Sequence, residues 1–539
     1  MTQKMFEMFV DYVKKHKYLW LWAVIFTFIC HGSMMLGNSV GIDTEEIITA
    51  KDSLYNGWLA TGRHGLVALK WLSDSLVFFP LFAGVGTLAF TVAACILWCF
   101  LFHYVSGKDN LGGTVTFIGI LVSHTILTEQ YYFKLQSMEV AFSFALMAVC
   151  LLLSHQFAIK KKKRLLFGVF PMMLLLFSVY QVFNALYIMG AVVCFLLHYF
   201  FIVTKADAEE NKAAAKALWM YILRFAGVFL IGFLANQLIT KLFFTTTEYL
   251  SNQIYWGKDT FEECVKNIFG NVLQVALGSN IFYTKTFSLY VLLICAGAAC
   301  TLKHTRTKGK VLGILSVLLL FMTPFYMTLL CGGPTVHRAE LVMPYTVAFM
   351  GYVVFLFGEK LNKGKKLVQV LAVCLGIMTV YTQTRYTLAL NYTDRVRYDS
   401  DVRVAVSLIN DIMAVQNADC SYPVVFIGAH EAELNASCIY GDCIGRSIFA
   451  WDTDVEPYGY HNSKRIIGFM GTMGVDFVRA TIEETAVAYQ YSSSMEACWP
   501  AEGSIQLTDD IIVVKLSKQL AKSPQSADCS NLRFKHLLL

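Results

Sequence analysis

Three carboxylates stand within four residues in Gly41-Ile42-Asp43-Thr44-Glu45-Glu46, shortly after an apolar stretch that ends near residue 37. A basic pair, Arg63 and His64, follows between Gly62 and Gly65, with Trp58 just before it. A carboxylate near a membrane surface can serve as general base toward a hydroxyl. Arg and His beside glycines can approach a phosphate, the guanidinium with a bidentate fork. The same residues also have a purely local reading, in which Asp43 N-caps a short helix and Glu45 and Glu46 fill its acidic first turn. The two readings are compatible, because a capping residue can also be catalytic.

Two further clusters carry similar chemistry. Glu129-Gln130-Tyr131-Tyr132-Phe133-Lys134 offers aromatic rings to stack on a sugar and a lysine to reach a phosphate. Read structurally, it is an interfacial aromatic belt with a snorkelling lysine. Gly332-Gly333-Pro334-Thr335-Val336-His337-Arg338-Ala339-Glu340 places His337 and Arg338 in a short loop, for which phosphate binding or a lipid headgroup contact would account. No triad signature is local to the sequence, the C-terminal part has no GxGxxG, P-loop or HExxH, and the ten cysteines of the apolar part show no metal spacing.

The elements that position these clusters follow from composition. A chain of 539 residues that is 56% apolar and 15% charged, with mean hydropathy +0.53, cannot hide its apolar surface in a water-soluble core. Apolar runs predict about eleven membrane helices, near 18–37, 79–103, 112–128, 138–158, 165–181, 184–204, 218–241, 285–302, 311–331, 341–358 and 367–388. Basic clusters lie between them: Lys14, Lys15 and Lys17; Lys160 to Arg164; Lys303, Arg306, Lys308 and Lys310; and Lys360, Lys363, Lys365 and Lys366. An N-terminus inside, with the first helix as an uncleaved anchor, puts every one of these clusters and the Lys205–Ala217 linker on the cytoplasmic side. The net charge of +6 therefore reflects topology and not a nucleic-acid surface.

All three chemical clusters then fall on the outer face, together with everything after about residue 389. There the texture changes. Asp399–Val415 reads as an amphipathic helix, and Tyr422–Gly428 and Ile511–Leu516 read as buried strands. The expected fold class is an α-helical polytopic membrane protein over residues 1–390 with a C-terminal extracytoplasmic α/β domain over 391–539. The five cysteines of that domain (Cys420, Cys438, Cys443, Cys498, Cys529) allow one or two disulfides there. Polar groups within the spans are few (His124, His155, Gln181, Asn184, Arg224, Asn236, Gln237) and form no acidic relay, which argues against a proton-coupled transporter.

The layout resembles the GT-C class of membrane glycosyltransferases and, more closely, the bacterial glucosyl transferase family of the serotype-converting O-antigen type. The pieces that carry the resemblance are Asp43-Thr44-Glu45 with Gly62-Arg63, Leu127-Thr128-Glu129-Gln130-Tyr131-Tyr132-Phe133, and Gly333-Pro334 with Arg338. Asn391-Tyr392 through Asp401, Trp499-Pro500-Ala501-Glu502-Gly503 and Val513-Val514-Lys515-Leu516 extend it to nearly the whole chain. One departure is Lys134, where an acid is expected; the next acid is Glu139.

The resemblance implies a cell-envelope transferase of the plasma (inner) membrane, working among membrane lipids. It would move a sugar, glucose by analogy, from a polyprenyl-phosphate donor to a glycan or glycolipid acceptor by an inverting displacement without metal. Asp43 would be the base, with Glu45 or Glu46 in reserve. Arg63, His64, Lys134, His337 and Arg338 would meet the phosphate, and Trp58, Glu129, Tyr131 and Tyr132 the sugar or acceptor. The alternatives are a transporter or flippase of lipid-linked glycans and a glycan-binding accessory protein.

Overall fold

The computed structural model describes residues 3–201, 211–244, 253–302, 307–333, 335–359, 365–416 and 421–518. Lys303, Arg306, Lys360 and Lys363 of the basic clusters, the start of the 205–217 linker, Pro334, Cys420 and Cys529 lie outside the described residues. The chain divides into two compact units, Met1–Asn38 with Leu54–Asn391, and Ser39–Ser53 with Tyr392–Leu539. A contiguous division at residue 390 does not anticipate that residues 39–53 group with the C-terminal part.

The first unit is helical. Among the described residues eight helices are long and apolar enough to cross a membrane, and a ninth span arises if Leu111–Ser123 and Thr125–Tyr132, bent by 47° at His124, are taken together. About eleven spans were expected, and two of those segments form shorter helices. The 165–181 segment forms the helix Leu166–Val179, only 14 residues between a basic loop and the break at Tyr180. At 1.5 Å per residue it reaches about 21 Å, short of a hydrocarbon core of about 30 Å. The 285–302 segment forms the helix Thr286–Leu302, 17 residues long.

The Lys134–Lys160 and Val342–Glu359 helices are buried within the unit, whereas Lys216–Phe243 is mostly exposed and presents Leu, Ile and Phe outward, as a lipid-facing helix does. Gly84 lets the Pro80–Ser106 helix pass directly over Lys17–Leu36, since a Cβ there would lie 2.1 Å from the Met35 carbonyl oxygen.

The last apolar helix does not stop near 388. It runs unbroken from Lys365 to Val415, and the separate amphipathic helix expected at 399–415 is its final part. The stretch Thr387–Ser400 contains neither Gly nor Pro, so nothing in it interrupts the hydrogen-bond ladder.

The second unit holds a four-stranded sheet of order β2-β1-β4-β3, with β1 Pro423–Ile427, β2 Val478–Arg479, β3 Ile505–Thr508 and β4 Ile511–Lys515. β1 pairs in parallel with β2 and β4, and β3 pairs antiparallel with β4. The two-residue turn Asp509-Asp510 has φ of 46° and 59°, the primed geometry of a tight hairpin. Val425, Ile427, Ile511 and Val513 pack with Ala488 and Met495 to form its core. The helix Ile482–Ser492 is started by a capping box between Thr481 and Glu484. Cys438 and Cys498 carry no disulfide.

Candidate active site

The carboxylate triplet lies in the second unit, on the six-residue helix Thr44–Thr49. Asp43 occupies its N-cap position with φ 66°, in the left-handed region, and its side chain makes no capping hydrogen bond. The purely local reading of Asp43 therefore loses its side-chain bond. The carboxylate instead faces the helix Tyr460–Thr472. Arg465 Nη1 donates to Asp43 Oδ1 at 2.9 Å and to Glu45 Oε1 at 3.0 Å, while its Nε donates to Asp452 Oδ2. Lys464 Nζ donates to Glu46 Oε1 at 2.6 Å, and Ser53 Oγ donates to the same oxygen at 3.1 Å. Glu45, Glu46, Asp452, Lys464 and Arg465, together with His461 and Arg479, line a cleft of about 360 Å³ of empty space, partly open to solvent, with Asp43 beside it on Arg465. Cations and carboxylates alternate around it, so it offers donors and acceptors to a polyhydroxy ligand.

The local sequence explains why the two helices meet here. Gly468 and Gly471 face the Thr44–Thr49 helix: a Cβ at Gly468 would lie 3.2 Å from Glu45 Cγ, and one at Gly471 would lie 2.9 Å from Thr49 Cγ2. Lys464, Gly468 and Gly471 recur at helical spacing, so closeness and charge share one face. The Tyr460–Thr472 helix is tied to β1. Because β2 pairs only with Pro423 and Val424, the Phe426 amide donates to Ser463 Oγ at 2.8 Å, and Asn462 Nδ2 donates to the Gly428 carbonyl at 2.9 Å.

A buried hub orders the remaining parts. Arg397 Nη1 donates to the Val40 carbonyl at 3.0 Å and to Asp401 Oδ2 at 3.1 Å, and its Nη2 donates to Asp394 Oδ1 at 2.5 Å. Asp401 also accepts from Ser447 Oγ at 2.7 Å and from the Ile448 amide at 3.0 Å. The chain thus leaves this hub three residues before Asp43 on one side and four before Asp452 on the other.

Burial dominates the electrostatics of Glu45, whose side chain is only 1% exposed and whose Oε2 has no hydrogen-bond partner. Desolvation pushes its carboxyl up, Arg465 pulls it down and the neighbouring Asp43 pushes it up again, leaving it at about 7 against an ordinary 4.5. Arg465 would be lowered by its own burial, yet Asp43, Glu45 and Asp452 raise it well above the ordinary guanidinium range, so it stays charged.

The Glu45 shift fixes a sign. Between pH 4.5 and 7 the folded protein keeps a proton on Glu45 that the unfolded chain releases, so this group's stabilising contribution is complete below pH 4.5 and lost as pH rises through 7. Glu45→Gln is expected to remove that slope. The melting temperature of wild type, relative to the variant, should fall between about pH 5 and about pH 8. Parallel melting curves for the two proteins would refute the assignment.

The other expected site residues lie in the first unit, where several converge on the start of the Lys134–Lys160 helix. The Arg338 guanidinium sits 4.6 Å from the Phe133 ring centre, and Arg63 Nη1 donates to Gln136 Oε1 at 3.4 Å while stacking 4.9 Å over Tyr180. Lys134 does not snorkel: it is buried and donates from Nζ to the Gly37 carbonyl at 2.7 Å, at the C-terminal end of the first apolar helix. Lys70, which the sequence reading passed over, forms a buried ion pair with Glu139 at 2.9 Å.

Glu129, Tyr131 and Tyr132 are buried beside these groups on Thr125–Tyr132, and the Tyr131 hydroxyl meets Thr91. The His337 ring packs edge-on 5.4 Å from Phe282. His64 stacks 4.7 Å from Phe244, and Trp58 is buried 5.6 Å from Tyr55. Arg63, Lys134 and Arg338 are therefore brought together around residues 133–136, while Asp43, Glu45 and Glu46 belong to the other unit.

Sequence reasoning missed Asp452, Lys464 and Arg465. Their positions carry no local signal, because basic residues far from a span, in a domain of about 150 residues, are not subject to the charge bias that makes Arg338 stand out. Among the described residues no group of three or more His, Cys, Asp or Glu side chains is arranged to hold a metal ion. A family model described as glucosyl transferase GtrII matches residues 32–357, more than half of the chain. No curated protein and no solved structure matches it.

Proposed function

The chain belongs to the glucosyl transferase GtrII family, and from that premise we propose that it moves a glucosyl residue from a polyprenyl-phosphate donor to a hydroxyl of an extracytoplasmic glycan or glycolipid. In this reading the chain is a GT-C-like enzyme of the plasma (inner) membrane, with its N-terminus in the cytoplasm and its sheet-bearing unit outside. The acceptor oxygen attacks C1 of the donor sugar, and the bond from C1 to the phosphate oxygen breaks. The bonding pair leaves with the polyprenyl phosphate, and the acceptor proton passes to a carboxylate. Attack opposite the leaving group inverts the anomeric centre.

Accessibility carries the choice of base. The Asp43 side chain is 35% exposed, against 18% for Glu46 and 1% for Glu45. Glu46 is also engaged by Lys464 and Ser53, and Glu45 is enclosed. Asp43, not used as a cap and the most exposed of the three, is the carboxylate a substrate hydroxyl can reach. The gathering of Arg63, Lys134 and Arg338 around residues 133–136 supports a role for these cations in holding the departing phosphate. The charge on the leaving group would then be met by protein cations.

Purified full-length protein in lipid nanodiscs, given radiolabelled polyprenyl-phosphate glucose and cell-envelope glycolipid, is expected to label the acceptor. Absence of transfer from every polyprenyl-phosphate sugar tried, with acceptor glycan still retained by the protein, would replace this reading with a binding role.

A further inference from the structure

We infer that Arg465 is the positioning residue of this site, an internal cation that holds Asp43 and Glu45 side by side and so sets the direction in which Asp43 meets the acceptor hydroxyl. The inference rests on the proposed role of Asp43. One nitrogen, Nη1, serves Asp43 at 2.9 Å and Glu45 at 3.0 Å, and Nε is held by Asp452. Three carboxylates thus share the rigid plane of one guanidinium, a geometry that an ammonium on a flexible stem cannot reproduce.

The adjacent cations sort the acids between them. Lys464 takes Glu46 and Ser53, and Arg465 takes Asp43 and Glu45. An ordinary surface ion pair would need none of the features that accompany this one. Asp43 adopts a left-handed backbone without capping its helix. Glu45 is buried with one carboxylate oxygen unpartnered. Gly468 removes the side chain that would hold the two helices apart. When Asp43 accepts a proton it loses its charge attraction to Arg465, yet Glu45 and Asp452 still anchor the guanidinium. The site therefore keeps its shape through turnover.

The test uses full-length Arg465→Ala and Arg465→Lys in the glucosyl transfer assay, with kcat and donor KM measured separately across pH and with guanidinium added back. For Arg465→Ala, kcat should fall about 100-fold while donor KM stays within about 3-fold, because positioning acts on the reacting geometry and not on donor binding. Arg465→Lys should recover little, and added guanidinium should restore Arg465→Ala by about 10-fold or more.

A kcat within about 3-fold of wild type for both variants would overturn the inference. So would a loss that guanidinium leaves untouched and that follows a fall in melting temperature. If Arg465→Ala does not fold, Asp452→Asn removes only the outer anchor; a several-fold loss of kcat at constant KM is expected, and unchanged kcat would count as refutation. Asp43→Asn, run alongside, separates the two claims. Its inactivity beside an active Arg465→Ala sinks the positioning role alone, and its full activity sinks the base.

Discussion

Asparagine at position 43 is expected to leave the melting temperature of the protein unchanged while lowering kcat by about 10²–10⁴-fold, the range associated with loss of a general base. The substitution suits this question for two reasons. Asn tolerates the left-handed φ of 66° as well as Asp does, so the Thr44–Thr49 helix keeps its start. Its amide oxygen can also still accept from Arg465, so the neighbouring Glu45 keeps its place. What disappears is the capacity to take a proton. Donor KM should change little, because in the proposed mechanism Asp43 meets the acceptor and not the phosphate. Turnover within about 10-fold of wild type would exclude Asp43 as the base and turn attention to Glu46. Alanine at the same position would confuse the result, since it adds backbone strain of about 1 kcal/mol or more in the left-handed region.

Replacement of Arg397 by Ala should have the largest effect on stability, about 3–5 kcal/mol, the cost of leaving buried charges without their partner. Arg397 is fully buried, and its removal strands Asp394 and Asp401, which are 3% and 1% exposed. Burial already pushes the Asp401 carboxyl up, and Arg397, Ser447 and Ile448 are what draw it down again. Without the guanidinium both acids must take up protons or water. The Val40 carbonyl also loses its donor just before Asp43. Limited proteolysis of the full-length protein should therefore cut the 392–518 region far faster in the variant, and transfer activity should fall with it. Equal cleavage rates would mean that this triad does not hold the unit together.

The run of long apolar helices and the strands β1 and β4 were legible because each rests on a local pattern: hydropathy over about 20 residues or a short β-branched run. Helix length was less legible, as in Leu166–Val179, where the apolar run looks adequate until Tyr180 breaks it. The continuity of Lys365–Val415 was hidden because a change from apolar to polar texture was read as a boundary, although no residue there stops a helix. β3 escaped because Ile505–Thr508 alternates over only four residues and is recruited by β4 through a tight turn.

The site divides in the same way. Asp43, Glu45 and Glu46 stood out as a cluster in sequence, and so did Arg338. Arg465 and Asp452 did not, because their meaning comes from what they face, and nothing local in the sequence states that partnership. Lys134 was visible, but its burial against the Gly37 carbonyl depends on the packing of a helix end about 100 residues earlier.

The grouping of residues 39–53 with the C-terminal unit also sets a timetable for the ribosome. Asp43 and Arg465 are 422 positions apart, so at about 5–20 residues per second the acidic segment emerges on the order of 20–85 s before the arginine that completes it. Throughout that interval every intervening helix is being inserted, while Asp43, Glu45 and Glu46 stand without their partner. A chain that stalls or is cut anywhere before residue 465 carries the acids but never the assembled centre. If Asp43 is the base as proposed, a chain truncated before residue 465 is expected to show no transferase activity.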